Sequence, residues 1–206
     1  MEFNREWFKS QIPALEKLIS EHKLPAWNEL SDIGLYMDQV ILLMNEYLSI
    51  YIFNDSETKV ITPSIINNYV KMGVIPPPEK KKYSRVHLAY LIMVCSLKQS
   101  LSIATIKKII PSDLSTEAME KIYTSFLENE YAVFKSLSDE LTSSLSPLID
   151  EENNNDEFYS LIMQSALSAS AFKMLTDKMT LQPNNESDEN NKNNKNNKNN
   201  EKKKNN

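Results

Sequence analysis

Ile61-Thr62-Pro63-Ser64-Ile65-Ile66-Asn67-Asn68-Tyr69-Val70-Lys71-Met72-Gly73-Val74-Ile75-Pro76-Pro77-Pro78-Glu79-Lys80-Lys81-Lys82-Tyr83-Ser84-Arg85 is the stretch from which the rest of the chain can be placed. Thr62 before Pro63 reads as a helix N-cap with proline at the first helical position, where a missing N–H would be unpaired anyway. Gly73, ten residues on, suits a left-handed C′ position, and the prolines from Pro76 prevent continuation. The spacing therefore predicts a short helix over 62–72, delimited at both ends. Ile66, Tyr69 and Val70 fall on one side, while Ser64, Asn67, Asn68 and Lys71 fall on the other. Asn can bond adenine bidentately in the major groove and Lys can reach phosphate or guanine, so the outer side has the chemistry of a reading helix. A solvated polar face is the plainer alternative for the same pattern.

Beyond that helix, Pro76 to Pro78 stiffen an extended stretch, and Lys80, Lys81 and Lys82 put three positive charges before Tyr83. This reads as a short wing or turn suited to phosphate contacts, which position a protein on nucleic acid without specifying sequence. Ser84 caps the next helix, with Arg85 in its first turn and Val86, Leu88, Ala89, Leu91, Ile92, Val94 and Cys95 as core. Cys95 in that apolar run is expected to be a packed small hydrophobe, and His87 a first-turn surface or packing residue.

The flanking segments read as helical. Residues 2 to 22 place Phe3, Trp7, Phe8, Ile12, Leu15, Leu18 and Ile19 at three- and four-residue steps, with Pro13 marking a kink or restart. Leu24 to Trp27 is a connection, and a helix is expected from Asp32 through Leu48, ending near the polar run Asn54 to Glu57. Ser115 to Leu145 carries an apolar stripe that includes Met119, Tyr123, Phe126, Phe134 and Leu137, with a break expected at Pro147. After the acidic Asp150 to Asn155 loop, Asp156 to Met179 repeats the pattern with Phe158, Leu161, Ile162, Ala169, Phe172, Leu175 and Met179. Two such helices form a hairpin or a dimerisation element. Residues 181–206 hold 12 Asn and 6 Lys and almost nothing apolar, so a disordered, solvated tail is expected, with a weakly basic arm touching phosphates as the functional alternative.

Composition removes most enzymatic parts. With two glycines, Gly34 and Gly73, neither a dinucleotide fingerprint nor a phosphate loop can be built. One cysteine excludes an intramolecular disulfide, and His22 and His87 stand 65 residues apart without metal-ligand spacing. No catalytic residues, no cofactor and no metal are expected, and the protein is not read as an enzyme. Ile33 to Phe53 is long enough to span a bilayer but contains Asp38 and Glu46, each costing ~3 kcal/mol near the centre. No membrane partner and no signal peptide are expected, and the chain is placed in the cytoplasm. Its net charge of -5 is unevenly distributed. Residues 1–54 carry -4, 55–110 carry +6, 111–180 carry -9 and 181–206 carry +2. A polyanion would be drawn to the second block alone.

The order of cap, helix with Tyr69, Gly73, Val74-Ile75, basic turn, Tyr83-Ser84, apolar helix and Ser102-Ile103-x-x-Ile106 resembles the winged helix-turn-helix of MerR-type regulators. Asn67 stands where that family usually has Arg, Lys80 to Lys82 replace its wing arginines, and Leu101 replaces a glycine. More closely, Leu24-Pro25-Ala26-Trp27-Asn28-Glu29-Leu30, Leu35 to Val40 and Thr62 to Tyr69 resemble an uncharacterised family of Gram-positive bacterial proteins known as a domain of unknown function. That likeness covers roughly residues 24–110.

The resulting expectation is a mainly α protein. It has an N-terminal amphipathic helix (1–23), a MerR-like winged helix-turn-helix domain (24–110), a C-terminal helical hairpin or dimerisation region (111–180) and the tail (181–206). The expected function is a homodimeric transcriptional regulator on double-stranded DNA. Its contacts would be Thr62, Ser64, Asn67, Asn68, Lys71, Lys80, Lys81, Lys82, Tyr83 and Arg85, with room for a protein or small-molecule effector at the C-terminal helices. The rival is an adaptor on the same scaffold that binds a protein through its Met- and aromatic-rich C-terminal helices, with Met119, Met163, Met174 and Met179 as adaptable contacts.

Overall fold

Nine consecutive residues, His87 to Cys95, are buried, and the other helices are arranged around them. A helix apolar on every side has to be enclosed, and this run carries no charge to keep it at the surface. The computed structural model describes residues 5–52, 59–150 and 155–181. Phe3, the Asn54 to Glu57 turn, most of the acidic loop and the tail lie outside the described residues.

The order is α1 (Arg5–Glu21), α2 (Met37–Tyr47), α3 (Pro63–Lys71), α4 (Arg85–Lys98), α5 (Ile103–Ile109), α6 (Thr116–Asp150) and α7 (Asn155–Met179), with single 3-10 turns at Trp27–Glu29 and Ser49–Tyr51. The protein is mainly α, and the described residues contain two isolated β-bridges in place of strands. Helix α4 contacts α2, α5 and α6, and α1 lies along α6. Ile12 and Ile19 of α1 are buried, and just past its end the His22 ring is in buried contact with the Glu130 carboxylate of α6. The Leu24–Trp27 connection is a clamp. Tyr123 of α6 donates its hydroxyl to the Pro25 carbonyl at 2.8 Å, and its ring lies 6.2 Å from that of Trp27.

Three boundaries differ from the periodicity. Helix α2 starts at Met37, not Asp32, because Leu35 exchanges two backbone hydrogen bonds with Tyr83, at 2.9 and 2.8 Å, and must stay extended. The Gln39 side chain then accepts the Tyr36 N–H at 2.9 Å and sets the helix start. Helix α6 runs on through Pro147 to Asp150; a proline so close to a C-terminus disturbs only the last turns. The third difference is the connection from α2 to α3, residues 48–62, where a helix-turn-helix has a turn of 3–4 residues. Part of this segment belongs to the core: Leu48, Ile50 and Ile61 are buried. The Asn45 amide holds its return leg, accepting from Val60 N–H (2.7 Å) and Ile61 N–H (3.1 Å) and donating to the Ile61 carbonyl (3.3 Å).

Helix α7 departs most from its expected packing. Ile162, Phe172, Leu175 and Met179, read as part of an apolar stripe for a hairpin or a dimerisation element, are 50%, 70%, 50% and 77% exposed, so they are not packed in a hairpin within this chain. Of the four methionines offered as adaptable contacts, Met119 is fully buried, whereas Met163, Met174 and Met179 are exposed.

Candidate nucleic-acid interface

Helix α3 is closed at both ends by the groups its sequence supplies. Thr62 is extended (φ -132°) and its hydroxyl accepts the Ile65 N–H at 3.4 Å, with Pro63 first in the helix. At the other end Gly73 takes φ +63°, the Val74 N–H reaches the Tyr69 carbonyl at 2.9 Å and the Gly73 N–H reaches Val70 at 3.0 Å. These two bonds are a Schellman closure, available to glycine without a Cβ penalty. Lys107 of α5 donates to the Met72 carbonyl at 2.9 Å, placing a cation at the negative end of the helix dipole.

Ile66 and Tyr69 of α3 are buried, and burial pushes the Tyr69 phenol up to about 12. Ser64, Asn67, Asn68 and Lys71 are all exposed on the opposite side, and Thr62 is half-buried at the cap. An exposed face of two amides, a hydroxyl and an ammonium can donate and accept hydrogen bonds in fixed register, because the helix beneath it is anchored by its apolar side.

The basic stretch is a tight turn. Glu79 and Lys82 exchange backbone hydrogen bonds at 3.1 and 2.8 Å, and Lys80 and Lys81 between them take φ 47° and 64°. Two successive positive φ values make this a type I′ hairpin turn, usually given to Asn-Gly. Lys80, Lys81 and Lys82 are exposed, and the Lys82 ammonium lies 5.4 Å from the centre of the Tyr36 ring. Gly34 allows the approach: a Cβ there would sit 3.0 Å from that of Lys82. Over residues 59–112 there are nine basic side chains and one acidic, Glu79.

Two expected contacts are turned inward. Tyr83 is buried, its ring edge-on to His87 at 5.5 Å. Arg85 is half-buried, donating through Nε to the Leu30 carbonyl at 3.0 Å with its guanidinium 5.7 Å from the centre of the Trp27 ring. Tyr83 directly follows the exposed lysines and its pairing with Leu35 turns it into the body, while Arg85 opens α4 two residues further on. Of the ten residues singled out, seven are exposed on α3 or the turn, Thr62 caps α3, and Tyr83 and Arg85 fasten the turn to the core.

His87 joins these parts. Its Nδ1 accepts the Ser84 N–H at 3.0 Å, so Nε2 carries the proton and donates to the Pro77 carbonyl at 3.2 Å. The ring is thus a neutral brace between the triproline segment and the start of α4. Burial lowers its pKa, outweighing the Pro77 hydrogen bond and the charge of Glu79, both of which raise it. Cys95 is buried, with its thiol pushed up to about 12 by desolvation, which leaves it unreactive at neutral pH.

Sequence reasoning missed Gly34, Tyr36, Asn45 and Lys107 as parts of this arrangement. Lys107 had a signal, a basic residue in the last turn of a short helix, but its partner is 35 positions earlier.

Residues 25–126 match the family described as Domain of unknown function (DUF1836). No curated protein and no solved structure matches the chain. No helix among the described residues is long and apolar enough to cross a membrane.

Proposed function

We propose that the DUF1836 domain at residues 25–126 of this chain is the DNA-reading part of a cytoplasmic, homodimeric transcriptional regulator with a MerR-like winged helix-turn-helix. Helix α3 enters the major groove, where Asn67, Asn68 and Lys71 meet base edges and Ser64 and the Thr62 end meet the backbone. Lys80, Lys81 and Lys82 contact phosphates and set the register. Tyr83 and Arg85 act from behind, holding the turn in place. The observation that carries this reading is the exposed amide and lysine face of a helix capped at both ends, in a segment with nine basic groups and one acidic group.

Fluorescence anisotropy against the gene's own upstream region tests it. With three lysines on phosphates, log affinity should fall with log salt at a slope of roughly -3. Replacing Asn67 and Lys71 by alanine should weaken binding at least tenfold. Binding that ignores both salt and these substitutions would overturn the reading.

The exposed apolar side chains of α7, among them Met163, Leu167 and Phe172, favour a second reading, an adaptor that docks a protein partner there. Recovery of a stoichiometric protein partner, with no duplex bound at low salt, would select it over the first.

A further inference from the structure

Helix α7 carries its charges at its ends. Asp156 and Glu157 stand in the first turn, Lys173, Asp177 and Lys178 in the last two, and residues 158–172 between them have none. Half-buried Leu161, Thr176 and Thr180 mark the side turned toward the rest of the chain, and Asp177 accepts the Thr105 hydroxyl of α5 at 3.1 Å. The opposite side is a line through positions 156, 160, 163, 167, 171, 174 and 178. Ser160, Met163, Leu167, Ala171, Met174 and Lys178 on that line are exposed. Ser160, Ser168 and Ala171 leave a shallow hollow beside Met163 and Leu167.

The steps along this line, four, three, four, four, three and four residues, are the same in both directions from Leu167. A second copy laid antiparallel across a two-fold axis at Leu167 therefore meets every position of the line with another position of the line. Leu167 packs on its own copy, Met163 falls against Ala171 and Met174 against Ser160, so each long side chain opposes a small one. Asp156 falls opposite Lys178 at both ends, whereas a parallel pair would set like charges side by side. Lys173, paired with Asp177 on the same helix, leaves this pattern undisturbed. Two copies of α6 would instead bring together helices that each hold seven acidic and two basic side chains. We infer that this side of α7 is the surface on which a second copy of the chain docks, antiparallel and centred on Leu167. The seam is about 33 Å long. It buries on the order of 1,000 Å² in total, the lower end for a specific contact, so the dimer dissociates in the micromolar range and stabilises the fold only modestly. This contact completes the homodimer proposed above and depends on that reading for its role, whereas the dimer itself can be observed without nucleic acid.

Sedimentation velocity of the full chain from about 1 to 100 μM brackets such a contact, with duplex binding by fluorescence anisotropy as the second readout. Leu167→Asp puts two carboxylates on the axis and should raise the dissociation constant at least about tenfold. Leu167 is 62% exposed, so the circular dichroism of that variant should match the unmodified chain. Lys178→Asp should weaken the dimer about three- to tenfold, and adding Asp156→Lys should restore it. Leu167→Cys should oxidise to a covalent dimer, and Leu137→Cys on an exposed position of α6 should not. A chain that stays monomeric throughout overturns the inference and leaves α7 to a different protein. A dimer indifferent to Leu167→Asp, not restored by the charge swap, or cross-linked through position 137 and not 167 also overturns it. Duplex binding by a monomer overturns the docking surface and leaves the nucleic-acid reading standing. A dimer of this register that binds no duplex overturns the nucleic-acid reading alone.

Discussion

Lys80 and Lys81 occupy backbone conformations in which a side chain costs ~1–2 kcal/mol per residue, and glycine or asparagine would relieve most of it. Local strain retained at an exposed, charged turn is expected where the side chains are used. Replacing the pair by asparagine and glycine (Lys80→Asn with Lys81→Gly) should raise stability by about 1–2 kcal/mol in urea unfolding. The same change should shrink the salt slope of DNA binding by about 2. A loss of stability would mean that the lysines hold the turn rather than tolerate it. His87 makes the second prediction at this scale. Its folded pKa lies below the unfolded value near 6.5, so the unfolded chain binds more protons as pH falls. Its stabilisation is complete above about pH 6.5 and declines below that as the folded pKa is approached. Stability compared at pH 7.5 and 5.5 should therefore fall more for the unmodified protein than for His87→Gln, by at most about 1.4 kcal/mol per pH unit.

At the scale of elements, the ends of α3 were legible because caps are local. Thr62, Pro63 and Gly73 act on groups within five positions, and their chemistry admits few alternatives. The segment entering α3 was not legible, because its register is set by Asn45, 15 and 16 positions earlier. In the fold the Asn45 amide replaces the partner strand that residues 60 and 61 lack. Asn45→Ala should cost about 1–3 kcal/mol through unpaired backbone groups. Amide exchange at residues 60–62 should accelerate before that of α4, which would distinguish loss of the tie from general destabilisation. The inward turn of Tyr83 and Arg85 was hidden for the same reason: the partners of these residues, Leu35, Leu30 and Trp27, lie about 50 positions away.

Over the whole molecule, stability and exposure divide between α4 and α7. Leu88, fully buried in α4, should lose about 2–5 kcal/mol on replacement by alanine. Ending the chain before α7 should shift the thermal midpoint of the remaining domain by only a few degrees, since most apolar side chains of that helix are already in contact with water. Differential scanning calorimetry of both variants checks the contrast. A large loss on removing α7 would show that its apolar face is covered in solution, and light scattering would then identify a second copy as the cover.

By itself the sequence determined what depends on neighbours along the chain. It specified the capped helix with its two unlike faces, the buried run of α4 and the concentration of positive charge on one segment, because short-range sterics and apolar periodicity act within a few residues. Only the tertiary structure decided which side chains beside the basic turn point outward, where α2 begins, and that α7 reaches back through Asp177 to α5 while leaving its apolar side exposed. Those outcomes come from pairings between residues roughly 50 to 70 positions apart, whose closure depends on the packing of the whole core and leaves no periodic mark in the sequence.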